Sequence, residues 1–184
     1  MIAAIITSDS VRSMSFASRY PWAVLPNLMQ LHLGTLSAQL DGQILGSKRF
    51  DSPNIVIGRN GYDALQLELH RNLLPTVEKI HVISTTTDHV SSKDAIVADI
   101  ETMLARSAAE EKDTVFVGGS KLIMKALPHV DLFIWNVFHG SFPRDSYWPH
   151  SPFGGMWDQG FEITERRLVT NFFGTAVFRR REVS

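Results

Sequence analysis

The chain has no cysteine, which removes disulfides, thiolate metal sites and cysteine nucleophiles together and agrees with a reducing, cytoplasmic setting. It has almost no net charge, −1 over 184 residues, so no field draws it to nucleic acid. No apolar run reaches the ~20 residues needed to span a bilayer, and no membrane partner is expected. The opening Met1 to Ile6 lacks a basic start and soon meets Ser8, Asp9 and Arg12, which marks a buried strand rather than a signal peptide. There are seven histidines, but none pairs with another at helical spacing beside carboxylates, so no metal site is expected. The three-glycine dinucleotide fingerprint, a phosphate loop ending in Gly-Lys-Ser/Thr and a Gly-x-Ser-x-Gly elbow are also missing.

What is present is an ordinary globular mixture, 44% apolar and 20% charged. One domain over residues 1–184 can then bury about 70% of its unfolded surface without a staple. Short β-branched runs read as strands at Met1–Ile6, Ile55–Ile57, Lys79–Ser84, Thr114–Val117 and Leu132–Val137. Their lack of alternation is that of strands covered on both faces. Helical patterns start at Leu28, run from Tyr62 to Leu69 and from Asp94 to Ala108, and from Ser120 to Leu127 before Pro128. Phe161–Arg167 and Asn171–Arg180 read as a closing antiparallel pair. The fold class expected is α/β: a mostly parallel central sheet with an antiparallel C-terminal strand pair and helices on both faces. Residues 37–54 carry turn chemistry at Asp41-Gly42, Gly46-Ser47 and Ser52-Pro53 and read as an inserted surface excursion, a hairpin or long surface loop. If exposed, its Leu40, Ile44, Leu45 and Phe50 would suit a second subunit, making a homodimer.

Two buried strands run into glycines, then a basic residue, then a helix: Gly58-Arg59-Asn60-Gly61, and Gly118-Gly119-Ser120-Lys121 after Val117. Each alone is a plain strand-to-helix turn. Together, at the carboxyl ends of two strands, they point to one phosphorylated ligand lying across the sheet edge. Pro21-Trp22 precedes the Leu-rich helix, and a buried indole N–H there needs a partner.

The order of these features resembles dihydrofolate reductase. Pro21-Trp22 and the helix at Leu28 are similar to that family's opening; Ile57-Gly58-Arg59 with Tyr62 to its Gly-Arg segment; Val117-Gly118-Gly119 with Leu127-Pro128 to its Gly-Gly segment; and Asp145-Ser146-Tyr147-Trp148-Pro149 to its Asp-Thr-x-Phe-Pro. The resemblance implies NADPH as cofactor, a pterin or pterin-like small molecule as substrate, and a place in one-carbon metabolism through tetrahydrofolate biosynthesis. It sets Gly58, Arg59, Asn60 and Gly61 at the cofactor phosphates and Ser84, Thr85 and Lys121 near the adenosine end. Gly118, Gly119 and Ser120 would lie along the cofactor backbone, and Thr7, Met14 and Ser18 by the nicotinamide. Ile5, Ile6, Leu28, Leu31, Val117 and Trp135 would line the substrate.

The substrate half departs from the family. The carboxylate early in the first long helix becomes Asn27 counted from Trp22, or Leu28 counted from Leu25-Pro26, and no carboxylate occurs between Asp9 and Asp41. An amide can orient a pterin but cannot protonate it, so Asn27 and Trp22 stand as the catalytic positions of a weakened site. The Arg that grips a folate tail is replaced by Thr76-Val77-Glu78, and the supporting Thr aligns with Trp135. Two alternatives follow: a protein that kept the fold and lost catalysis, or a pyrimidine reductase of the riboflavin-pathway type, whose Leu-Asp-Gly-Lys-Ile strand Leu40-Asp41-Gly42-Gln43-Ile44 resembles.

Overall fold

The computed structural model describes residues 1–68, 79–86, 88, 90–91, 93–152 and 154–182. In chain order the elements are β1 (Ile2–Asp9), β2 (Ser13–Ser15), α1 (Pro26–Leu40), β3 (Gln43–Ile44), β4 (Ser47–Lys48), β5 (Asn54–Gly58) and α2 (Arg59–Glu68). Then come β6 (Ile80–Ile83), β7 (Ala95–Val97), α3 (Ile100–Ala109), β8 (Thr114–Val117), α4 (Ser120–Ala126) with a 3₁₀ turn at Leu127–His129, and β9 (Leu132–Phe138). β10 (Ser146–Tyr147), α5 (Gly154–Asp158), β11 (Phe161–Thr170) and β12 (Phe173–Arg180) close the chain.

Eight strands form one sheet in the order β11-β12-β9-β1-β8-β5-β6-β7. From β9 to β7 every pairing is parallel, and β12 pairs antiparallel with both β9 and β11. The unalternating apolar run of β1 is thereby explained. Ala3 and Ile5 face one core with Leu33 and Leu36 of α1 and Tyr62 of α2. Ala4 and Ile6 face the other, with Met103 of α3 and Ile123 of α4. The α/β architecture with helices on both faces is as expected.

Two local expectations are corrected. The apolar stripe assigned to a helix over Asp94–Ala108 is split: Ile96 and Val97 lie in β7, paired parallel with β6, and α3 begins only at Ile100. Asp99 marks the start, its carboxylate accepting from the Thr102 N–H at 2.7 Å. Three residues of strand are too short to show a period, so the stripe absorbed them. The second case is the exposure expected of residues 37–54, where the hairpin itself is present. α1 continues through Leu40, and a short β3–β4 hairpin follows. Leu40, Ile44 and Phe50 are buried in the α1-side core, with Leu45 packed against it. The apolar residues that would have served a second subunit are thus used inside the molecule. Gly42, at φ +83, seals the turn, since a Cβ there would stand 2.1 Å from the Phe50 carbonyl oxygen. Arg49 forms an ion pair with Glu165 and ties the hairpin to β11. The helix read over Tyr62–Leu69 spans Arg59–Glu68, and Leu69 lies outside the described residues.

Candidate active site

A cavity of about 550 Å³ opens at the carboxyl ends of β1, β5 and β8, where ligands sit in open α/β sheets. One wall is built by the two glycine turns. Gly58, Arg59, Asn60 and Gly61 lead from β5 into α2, and Val117, Gly118, Gly119, Ser120 and Lys121 lead from β8 into α4. Gly118 has φ +112, which side-chain-bearing residues rarely adopt, and a Cβ on Gly119 would meet nothing within 4 Å. The backbone here is therefore bare toward open space. A Cβ on Gly61 would lie 3.0 Å from Ile57 Cγ1, a fit tight enough that the Ile57 side chain would have to shift by a few tenths of an ångström. Arg59 Nε donates to Asp63 at 3.2 Å and Nη2 donates to the Asp88 carbonyl. Its Nη1 is buried with no hydrogen-bond partner among the described residues.

The facing wall comes from Ile5 and Thr7 of β1, from Met14, Ser15, Ser18, Arg19 and Tyr20 on the following segment, and from His32 and Leu36 of α1. Asp145 and Ser146 stand beside Ser15. The Asp145 carboxylate accepts from Ser15 Oγ and the Ala17 N–H, both at 2.7 Å, and the first of these bonds holds its pKa below the ordinary carboxylate value.

The Dihydrofolate reductase family model matches residues 47–167. The chain belongs to the dihydrofolate reductase family. The structure is similar to that of dihydrofolate reductase from Enterococcus faecalis, described as complexed with NADP(H) and RAB-propyl, with a TM-score of 0.72 and 19% identity over 99% of this chain and 97% of that one. At that identity the likeness concerns the fold. No curated protein matches the chain in sequence.

Set beside a dihydrofolate reductase, the glycine-turn wall gathers most of the residues expected there. Gly58, Arg59, Asn60, Gly61, Gly118, Gly119, Ser120 and Lys121 all border the cavity, as do Thr7, Met14 and Ser18 opposite. Ser84 and Thr85 lie beyond its lining, just past the end of β6, which is adjacent to β5 through Gly58↔Ile83. Ser84 Oγ donates to the Thr86 carbonyl at 3.0 Å.

The substrate side needs more correction. Of the six residues expected there, Ile5 and Val117 line the cavity. Ile6 and Trp135 pair in register across β1 and β9 but point to the opposite face, into the core beneath α3 and α4. Trp135 there donates its indole N–H to Ser8 Oγ at 2.8 Å. Side chains alternate along a strand, so a slip of one residue exchanges the two faces. On the α1 side of the sheet β9 instead presents Asn136, in register with Thr7, fully buried and outside the cavity lining. Its carboxamide exchanges two hydrogen bonds with Gln39, each 2.8 Å, and also accepts from Thr175 at 2.7 Å. Leu28 packs on the core without reaching the cavity, and Leu31 lines a separate shallow groove between α1 and β11. Asn27 is exposed on the first turn of α1, outside the cavity lining. Thr76, Val77 and Glu78 lie outside the described residues, as do His70 and His89.

Trp22 is fully buried and does not border the cavity itself. Its indole N–H donates at 3.2 Å to Nδ1 of His32, which does. Burial without any charged partner pushes the His32 pKa down to about 3, so the ring is neutral at physiological pH. Sequence reasoning discarded His32 with the other histidines because it has no metal-spaced mate. The only signal was its place on the face of α1 that also carries Leu36 and Gln39, all three buried or cavity-facing.

Proposed function

We propose that the protein is an NADPH-dependent reductase that delivers hydride to a C=N bond of a pterin or pterin-like ring. The observation that carries this reading is the orphaned Nη1 of Arg59, beside a wall of bare glycine backbone. A buried guanidinium N–H without a partner is satisfied by a phosphate oxygen. The residues fit a dinucleotide: the backbone N–H of Gly119, the Ser120 hydroxyl, and two cations, Arg59 and Lys121, that suit the extra phosphate of NADPH. Ser84 and Thr85 stand where the adenosine end would extend past β6, and Thr7, Met14 and Ser18 would flank the nicotinamide. The E. faecalis relative, described with NADP(H), supports the same cofactor.

Bound NADPH would supply the hydride to the ring carbon and leave as NADP⁺. The balancing proton on the ring nitrogen comes from water, because the α1 wall carries no carboxylate and His32 is neutral. Without a side-chain acid, typically worth 10²–10⁴-fold, turnover of dihydrofolate is expected to be slow. A protein that kept the cofactor and lost catalysis would bind NADPH and turn over no pterin.

The test is thermal stability with added nucleotide. NADPH at 100 times its dissociation constant adds about 2.7 kcal/mol and raises Tm by several degrees. Arg59→Ala should weaken NADPH more than NADH. Absence of any shift at millimolar NADPH would sink the assignment.

A further inference from the structure

We propose that His32 is the group that reads the substrate: its Nε2–H donates a hydrogen bond to an acceptor, a carbonyl oxygen or unprotonated ring nitrogen, on a neutral heterocycle bound against α1. The proposal rests on the reductase reading for its site and refines the class of molecule that site takes.

Three observations carry it. The first is the tautomer. An indole N–H can only donate, and it lies 3.2 Å from Nδ1 of His32. Nδ1 therefore bears no proton, and the proton of the neutral ring is on Nε2. An imidazolium would set two donors against each other. Trp22 is a positioning residue here. It is held by Phe138, with ring centroids 4.7 Å apart, while Tyr20 meets the imidazole edge-on at 4.4 Å.

The second is the free donor. His32 is 1% exposed and borders the cavity, yet Nε2 has no hydrogen-bond partner among the described residues. Nδ1 is spent on Trp22, so Nε2 is the polar atom that His32 brings to that wall. Ile5 and Leu36 beside it are apolar, and a ligand acceptor is what would satisfy it.

The third is charge. The cavity lining holds one carboxylate among the described residues, Asp145. Its two oxygens already accept from Ser15 and Ala17. A cationic, donor-rich edge, such as a protonated aminopyrimidine, would meet a donor at His32 and no counter-ion beside it. Burial of His32, which keeps the ring neutral, acts in the same direction.

The experiment titrates two rings of matched shape, pteridine-2,4-dione and 2,4-diaminopteridine, into the full chain by calorimetry. Cofactor affinity is measured separately by NADPH fluorescence. The wild type should bind the dione roughly tenfold or more tighter than the diamine. His32→Phe should lose roughly ten- to a hundredfold of dione affinity and with it the preference. His32→Gln, which keeps a donor, should recover part of both, and NADPH affinity should stay unchanged in all three proteins. Equal or tighter binding of the diamine by the wild type overturns the proposal. So does undiminished dione binding by His32→Phe, or failure of both rings to bind at millimolar concentration. Nitrogen-15 NMR of the wild type tests the tautomer without any variant: Nδ1 must appear unprotonated and Nε2 protonated at neutral pH, and the reverse overturns it. Loss of NADPH binding with the dione preference intact would instead fell the cofactor assignment alone.

Discussion

Asn27 sits exposed on the first turn of α1, away from the cavity. Asn27→Asp should therefore do no more than an ordinary surface change, about 0.5 kcal/mol or less in stability or in pteridine binding. The check is a parallel titration of both proteins, and an enhanced turnover of dihydrofolate by the variant would show that this residue reaches the ring after all. The contrast with His32 shows what a residue list can and cannot reveal. Gly58, Arg59, Gly118 and Gly119 were legible because backbone geometry at a strand end demands particular residues in consecutive positions. His32 was not, because a lone histidine among leucines looks alike whether it fills a core or faces a ligand. It acquires meaning only when Trp22 folds onto it. Asn136 was missed for a different reason: nothing in β9 itself says which of two adjacent side chains lies on the α1 side of the sheet, and the register with β1 decides it.

At the scale of elements, α3 offers the plainest energetic test. Its N-cap is Asp99, whose carboxylate takes the Thr102 N–H at 2.7 Å; the Thr102 side chain first, and then this backbone bond, lower its pKa. Asp99→Ala should lower the urea midpoint with an unchanged slope. Asp99→Asn, which can still cap, should lose less. The central strands were legible because burial on both faces leaves continuous β-branched runs. β7 was not, since an edge strand of three residues has no periodicity of its own and merged into the helical stripe that follows. The β3–β4 hairpin was legible from its turns, but the burial of its apolar residues was not. Its polar composition looks external, while the side chains that matter, Ile44 and Phe50, turn inward.

For the molecule as a whole, His32 couples stability to pH. Its pKa is 6.5 in an unfolded chain and about 3 in the folded one. Between those values the unfolded state binds a proton that the folded state refuses, so stability falls as pH drops below 6.5 and the loss is complete only near 3. Above 6.5 this group contributes no slope. The loss runs at up to about 1.4 kcal/mol per pH unit, or about 2 kcal/mol by pH 5. Comparing urea midpoints of the wild type and His32→Phe at pH 7 and pH 5 isolates it. His81 and His150, whose pKa values are also lowered by burial, remain in both proteins and cancel. Equal pH dependence in the two would show that His32 does not carry the coupling.

The strand order also bears on how the chain is made. β1 precedes the other strands of its sheet in the chain, yet it lies in the middle of that sheet, with Ile2 beside Thr114 and Asp9 beside Phe138. No neighbour exists for it until β8 and then β9 have emerged. Until then an apolar strand with two open edges must wait, and a chain arrested before Phe138 would present that strand to chaperones, to proteases or to other unfinished copies.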